Sequence, residues 1–172
     1  MPRFYKDKYI GIPYRKEKIE GEIKKLVEHK EPIEIAKNVW ALGEIPRPYE
    51  TSTIKGCWII KNGKKIEDNI LDDQALAIKT EKGGILILGC CHSGLRNTTK
   101  WAQEVIGQEI KFIIGGTHLI GLSFEKIKEI MDSIEFEFIA PCHCTGLEAE
   151  WYLKSLLKER FKMIGVGSVL EF

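Results

Sequence analysis

Three of the chain's four histidines occur in one repeated setting. The segments are Ile85-Leu-Ile-Leu-Gly-Cys-Cys-His92, Phe112-Ile-Ile-Gly-Gly-Thr-His118 and Phe138-Ile-Ala-Pro-Cys-His143. Each runs from an apolar stretch through small or tight-turning residues to a histidine, and a helix-like stretch follows. The histidines are 26 and 25 residues apart, about one strand–helix unit each. Neutral imidazoles brought together in this way suit a divalent transition metal, zinc first. Such an ion lowers the pKa of a bound water or polarises a carbonyl or phosphoryl oxygen. His92, His118 and His143 are therefore the candidate metal ligands, holding one or two zinc ions. His29, between Glu28 and Lys30, reads as a surface residue.

Other polar groups cluster nearby. Ser93, Arg96 and Asn97 open the helix after His92, where backbone N–H groups and the helix dipole favour an anion such as phosphate. Asp72 and Asp73 precede the Gln74–Thr80 strand and read as turn formers, with approach to the metal edge as the alternative. The five cysteines (57, 90, 91, 142 and 144) are not spaced as a disulfide framework or as C-x2-C zinc pairs. In an extended Cys142–Cys144 segment, the two thiols would face opposite to His143. Packing is the simpler role for the cysteines, with a redox or persulfide role open to Cys91 or Cys144.

The elements that must place these residues follow from apolar periodicity. Lys16 to His29 predicts a helix, and Val39–Leu42 a strand ending at Gly43. Cys57–Lys61 turning at Asn62–Gly63 reads as a hairpin, and Ala75–Ile78 as another strand. Strands at Ile85–Leu88, Phe112–Ile114 and Phe136–Ala140 alternate with helices at Asn97–Ile106, Ser123–Ile134 and Thr145–Arg160. Thr145 and Glu148 form a capping-box pattern. Short strands near Phe161–Ile164 and Ser168–Phe172 close the chain. Unbroken apolar strands between helices indicate a buried, partly parallel sheet, so the fold class is α/β, or α+β with mixed sheets, in one domain over 1–172.

Composition narrows the function classes. The 172 residues carry 26 Lys+Arg against 25 Asp+Glu, which leaves no basic footprint for nucleic acid. No apolar run reaches the roughly 18 residues that span a bilayer. The start, Met1-Pro-Arg-Phe-Tyr-Lys6, has no hydrophobic export region. The expected setting is cytoplasmic, with neither nucleic acid nor membrane as partner.

Gly89-Cys-Cys-His-Ser-Gly94, Gly115-Gly-Thr-His-Leu119 and Cys142-His-Cys-Thr-Gly146 form a recognisable set. Together with Asp73-Gln-Ala-Leu76 and Gly165-Val-Gly-Ser-Val169, it resembles a branch of the metallo-β-lactamase superfamily. That branch includes archaeal pterin-forming synthases of tetrahydromethanopterin-type biosynthesis and metal-dependent hydrolases. The resemblance implies an αββα sandwich with the metal at one edge, and a small phosphorylated or pterin-like substrate. It carries His92, His118 and His143 over as metal-site residues, with contact to substrate as the alternative for His118. The superfamily's His-x-His-x-Asp-His motif is absent from these residues, so the chain reads as the C-terminal part of an incomplete sandwich. A dinuclear site would then need the missing segment. The expected function is a metal-dependent hydrolase or pterin-condensing transferase. The alternative is a truncated, non-catalytic subunit completed by a partner chain, and homo-oligomerisation is a further possibility.

Overall fold

The computed structural model describes residues 3–49 and 55–172. In chain order the elements are β1 (Arg3–Tyr5), β2 (Lys8–Tyr9), α1 (Lys16–Glu22), β3 (Ile33–Ala36), β4 (Val39–Ala41), β5 (Cys57–Lys61) and β6 (Lys64–Glu67). They continue with β7 (Ala75–Ile78), β8 (Gly84–Leu88), α2 (Leu95–Ile106), β9 (Ile110–Gly116), α3 (Phe124–Asp132), β10 (Phe138–Cys142) and α4 (Leu147–Leu157). A smaller sheet, β2-β1-β5-β6, is antiparallel throughout. The larger sheet, β10-β9-β8-β7-β4-β3, is mixed. Its β8, β9 and β10 are parallel, while β7, β4 and β3 pair antiparallel.

The parallel strands are buried along nearly their whole length, with Leu86, Ile113, Ile139 and Ala140 fully enclosed. Strands covered on both faces need such continuous apolar runs. In α2 the enclosed residues Leu95, Thr98, Thr99, Ala102 and Ile106 recur at helical spacing and face the core. The Trp101 indole N–H donates to the Leu42 carbonyl at 3.0 Å and ties α2 to the segment after β4. Ile127, Ile130 and Met131 of α3, with Ala149, Leu153 and Leu157 of α4, join the same core. No helix among the described residues is long and apolar enough to cross a membrane.

Several sequence expectations are corrected. The Lys16–His29 helix stops at Glu22, and Ile23, Leu26 and Val27 are exposed. None of its residues is buried, and a short helix containing Gly21 has little to hold it without a packed face. Helix α2 begins two residues before the expected Asn97, and β10 lies two residues later than Phe136–Ala140. The closing strands are not formed: Phe161 makes only an isolated bridge to Ile139. The chain end is instead held by Phe172, whose ring lies 5.0 Å from that of Phe112. Thr145 does not cap α4, because its hydroxyl donates to the Cys142 carbonyl at 2.8 Å and accepts from the Thr117 hydroxyl at 2.9 Å. Gly146 holds the N-cap position without a side-chain bond.

Leu86→Ala, at the centre of β8, is expected to cost about 2–5 kcal/mol in denaturant unfolding. Leu147→Ala, at 75% exposure, should stay within about 0.5 kcal/mol of the parent.

Candidate metal centre

The parallel strands end almost level. Leu88 of β8 pairs with Gly115 of β9, and Gly116 pairs with Cys142 of β10. The three loops that follow therefore leave the sheet side by side, at the edge where open α/β sheets take ligands. Each loop passes through the left-handed region at a non-glycine residue: Cys91 (φ 59°), His118 (φ 48°) and His143 (φ 55°). Such positions carry strain and concentrate at functional sites. Gly115 is itself at φ 118°, and a Cβ there would lie 2.2 Å from the Leu88 carbonyl oxygen. A Cβ on Gly116 would meet the Gly89 carbonyl oxygen at 2.4 Å and Cys144 Sγ at 2.8 Å. Glycine at these two places is what allows the loops to close on one another.

His92 and His118 come together, with ring centroids 4.5 Å apart and planes tilted by 57°. Burial lowers the pKa of both rings below the ordinary histidine value. For His92 the charge of Asp73 opposes this shift and those of Arg47 and Arg3 add to it. For His118 the neighbours His92 and His143 add to it, and Asp73 again opposes it. The shift favours the neutral imidazole, the form that offers a lone pair to a metal. The Nδ1 atom of His118 is buried and has no hydrogen-bond partner among the described residues. A buried polar atom left this way is costly unless a ligand completes it, and the pair fits a transition metal.

His143 is exposed, and its Nε2 turns to Cys90 Sγ at 3.0 Å. Among the described residues, the donor atoms that all fall within 4.8 Å of one another belong to Cys90, His143 and Cys144, not to the three histidines together. The expectation that Cys144 faces away from His143 is corrected here. Residues 143–145 form a 3₁₀ turn rather than extended chain, and the left-handed His143 brings neighbouring side chains to one side. Burial and the adjacent Cys90 push the Cys144 thiol up to about 11. Cys91 is enclosed, with Sγ 3.5 Å from the Thr98 hydroxyl. Of the two neighbouring cysteines, Cys90 meets His143 while Cys91 packs inward against Thr98, a distinction that the sequence pattern does not signal.

The remaining candidates line the start of α2. Asp73 is buried, and its Oδ2 accepts from the Ser93 backbone N–H at 2.8 Å. It also lies in a turn, its own N–H reaching the Ile70 carbonyl at 3.3 Å, so the turn and the edge are both its place. Ser93 is enclosed, its hydroxyl accepting from Arg47 at 3.0 Å. Arg47 also donates to the carbonyls of Asn69 and Ile70, a role that no motif signalled. Asn97 donates to the Ser93 carbonyl at 2.7 Å and accepts from the Tyr49 N–H at 3.1 Å. Arg96 lies over the Tyr49 ring at 4.0 Å, with its Nε buried and without a hydrogen-bond partner among the described residues. Asp72 is drawn outward to Arg3, which donates to both its carboxylate oxygens and also pairs with Asp68.

No family model matches the chain. An uncharacterized protein of Methanocaldococcus jannaschii is 36% identical over 159 residues, covering 87% of this chain and 59% of that protein. From the same organism, a protein named 7,8-dihydropterin-6-methyl-4-(beta-D-ribofuranosyl)-aminobenzene-5'-phosphate synthase is 32% identical over 165 residues, covering 91% and 56%. The crystal structure of a metal-dependent hydrolase of the beta-lactamase superfamily superposes with a TM-score of 0.85 at 27% identity, over 99% of this chain and 67% of that one. The fold of the chain is metallo-β-lactamase-like. The chain spans 59% and 56% of the lengths of the two curated relatives.

Because the folded chain holds His92 and His118 below their ordinary value, the unfolded chain binds more protons as pH falls from that value toward the folded ones. Stability is expected to be full above about pH 6.5 and to decline below it, read as a falling denaturant midpoint. Asp73→Asn removes the charge that opposes the shift, and should move both imidazole titrations, followed by NMR, to still lower pH.

Proposed function

We propose that this chain carries the metal-binding edge of a zinc-dependent hydrolase or pterin-condensing transferase, acting as a single cytoplasmic domain on a small phosphorylated or pterin-like substrate. The observation that carries the reading is the half-buried imidazole pair, His92 and His118, with ring centroids 4.5 Å apart beyond the parallel strands. His92, His118 and His143 would hold the ion. When bound, zinc supplies Lewis-acid polarisation of a phosphoryl oxygen or activation of a water. Asp73 orients the edge by fixing the start of α2 through Ser93 and by setting the charge felt by both rings. Arg96, braced on Tyr49 beside the α2 N-terminus, is the cation that would receive a phosphate, with Ser93 and Asn97 shaping the loop that presents it. The pterin class is suggested by the name of the 32% identical relative, and the hydrolase class by that of the structural neighbour.

A second reading is that the chain acts only with a partner polypeptide, or a second copy, that completes the metal site. These 172 residues carry no His-x-His-x-Asp-His motif, and the chain spans 59% and 56% of the lengths of the two curated relatives.

The test is turnover of a dihydropterin pyrophosphate and of a generic phosphodiester by the zinc-loaded chain. His92→Ala or His118→Ala should lower kcat/KM by more than the roughly 10–100-fold that loss of an outer-sphere partner costs. Arg96→Ala should raise KM for the phosphorylated substrate. Turnover that appears only when a polypeptide bearing the missing motif is added would establish the second reading. Turnover unaffected by the histidine variants would overturn the first.

A further inference from the structure

We infer that Cys90, His143 and Cys144 form a thiolate-rich metal site beside the imidazole pair, sharing His143 with the centre proposed above and selective for a thiophilic divalent ion such as zinc or cadmium. Their donor atoms already lie within 4.8 Å of one another. Cys90 Sγ is 3.0 Å from His143 Nε2, and Cys144 Sγ is 3.3 Å from the Cys90 carbonyl oxygen. Around a tetrahedral zinc, with Zn–S about 2.3 Å and Zn–N about 2.0 Å, neighbouring donors sit about 3.5–3.8 Å apart. Two sulfurs and one imidazole make a soft donor set, distinct from an all-histidine set, and leave a fourth position for water or a small ligand.

The surroundings are built for this cluster. Gly116 backs it directly, since a Cβ there would fall 2.8 Å from Cys144 Sγ and 3.1 Å from His143 Cδ2. The 3₁₀ turn that carries His143 and Cys144 is pinned from both sides by the Thr145 hydroxyl, which bonds Cys142 and Thr117. That turn holds His143 in the left-handed region. Binding replaces two S–H bonds by two S–metal bonds and releases two protons to solvent, with no change of oxidation state. Because His143 belongs to this cluster and to the centre proposed above, an ion here withdraws His143 from His92 and His118. The inference stands on the cluster geometry and does not require the hydrolase reading.

The test is titration of the reduced full chain with cobalt(II) as a spectroscopic probe for zinc. The expected result is a near-ultraviolet sulfur-to-cobalt charge-transfer band that saturates with the ion, is bleached by zinc or cadmium, and is lost in a Cys90→Ser/Cys144→Ser variant. His92→Ala/His118→Ala should keep the band, which separates failure of this site from failure of the hydrolase centre. Cys57→Ser, altering a buried thiol of the smaller sheet, should also keep it. No thiolate band in the parent chain, or a band that survives in the double serine variant, would overturn the inference. Should that variant not fold, proton release from the parent decides: two protons per ion support the site, and none refutes it.

Discussion

Everything at the candidate centre depends on three strand ends being brought close together without side chains between them. The Gly116 backbone N–H donates to the Gly89 carbonyl at 3.1 Å, joining the loop after β8 to the last residue of β9. A methyl group on Gly115 or Gly116 would lie 2.2–2.4 Å from a neighbouring carbonyl oxygen, well inside contact distance. Glycine removes that clash, and the parallel register then delivers each loop to the same edge. The core beneath is continuous, from Leu86 through Ile113 to Ile139, so the edge rests on the most enclosed part of the molecule. Rigid support of this kind is what lets short loops hold strained, left-handed residues in place.

Electrostatics then sets the chemical state of the edge. Burial lowers the pKa of His92 and His118, and the buried Asp73 limits how far that goes. Arg47 and Arg3 form an outer layer: one holds Ser93 and the 69–70 carbonyls, the other engages Asp68 and Asp72. Asp72 lies below its ordinary value because the Arg3 contact outweighs the effect of burial. Through Arg3, a residue of β1, the smaller sheet is coupled to the loop that leads into Asp73.

The strand–small residue–histidine pattern was legible in the sequence because it is local: each repeat is an apolar run and a turn read in order. The α/β class and the common edge of His92, His118 and His143 follow from that pattern and the right-handed crossover of parallel strands. What was not legible depended on contacts distant in sequence. Thr145 fits a capping box with Glu148, but Thr117, 28 residues earlier, offers its hydroxyl another partner. The Lys16–His29 periodicity is genuine, yet no packed face meets it, and α1 ends at Glu22. Cys144 looked opposed to His143 only because an extended backbone was assumed, and a left-handed residue changes side-chain direction completely. Arg47 gave no signal at all, since its three acceptors come from two separate later segments.

The central claim is that His92 and His118 are one metal-binding pair. The most direct measurement is zinc titration of a Cys90→Ser/Cys144→Ser chain, followed by imidazole NMR resonances, so that thiolate binding does not contribute. The His92 and His118 signals should move together and saturate at a single ion, while His29 stays unchanged. Zinc that leaves both signals in place, or shifts one without the other, would contradict it.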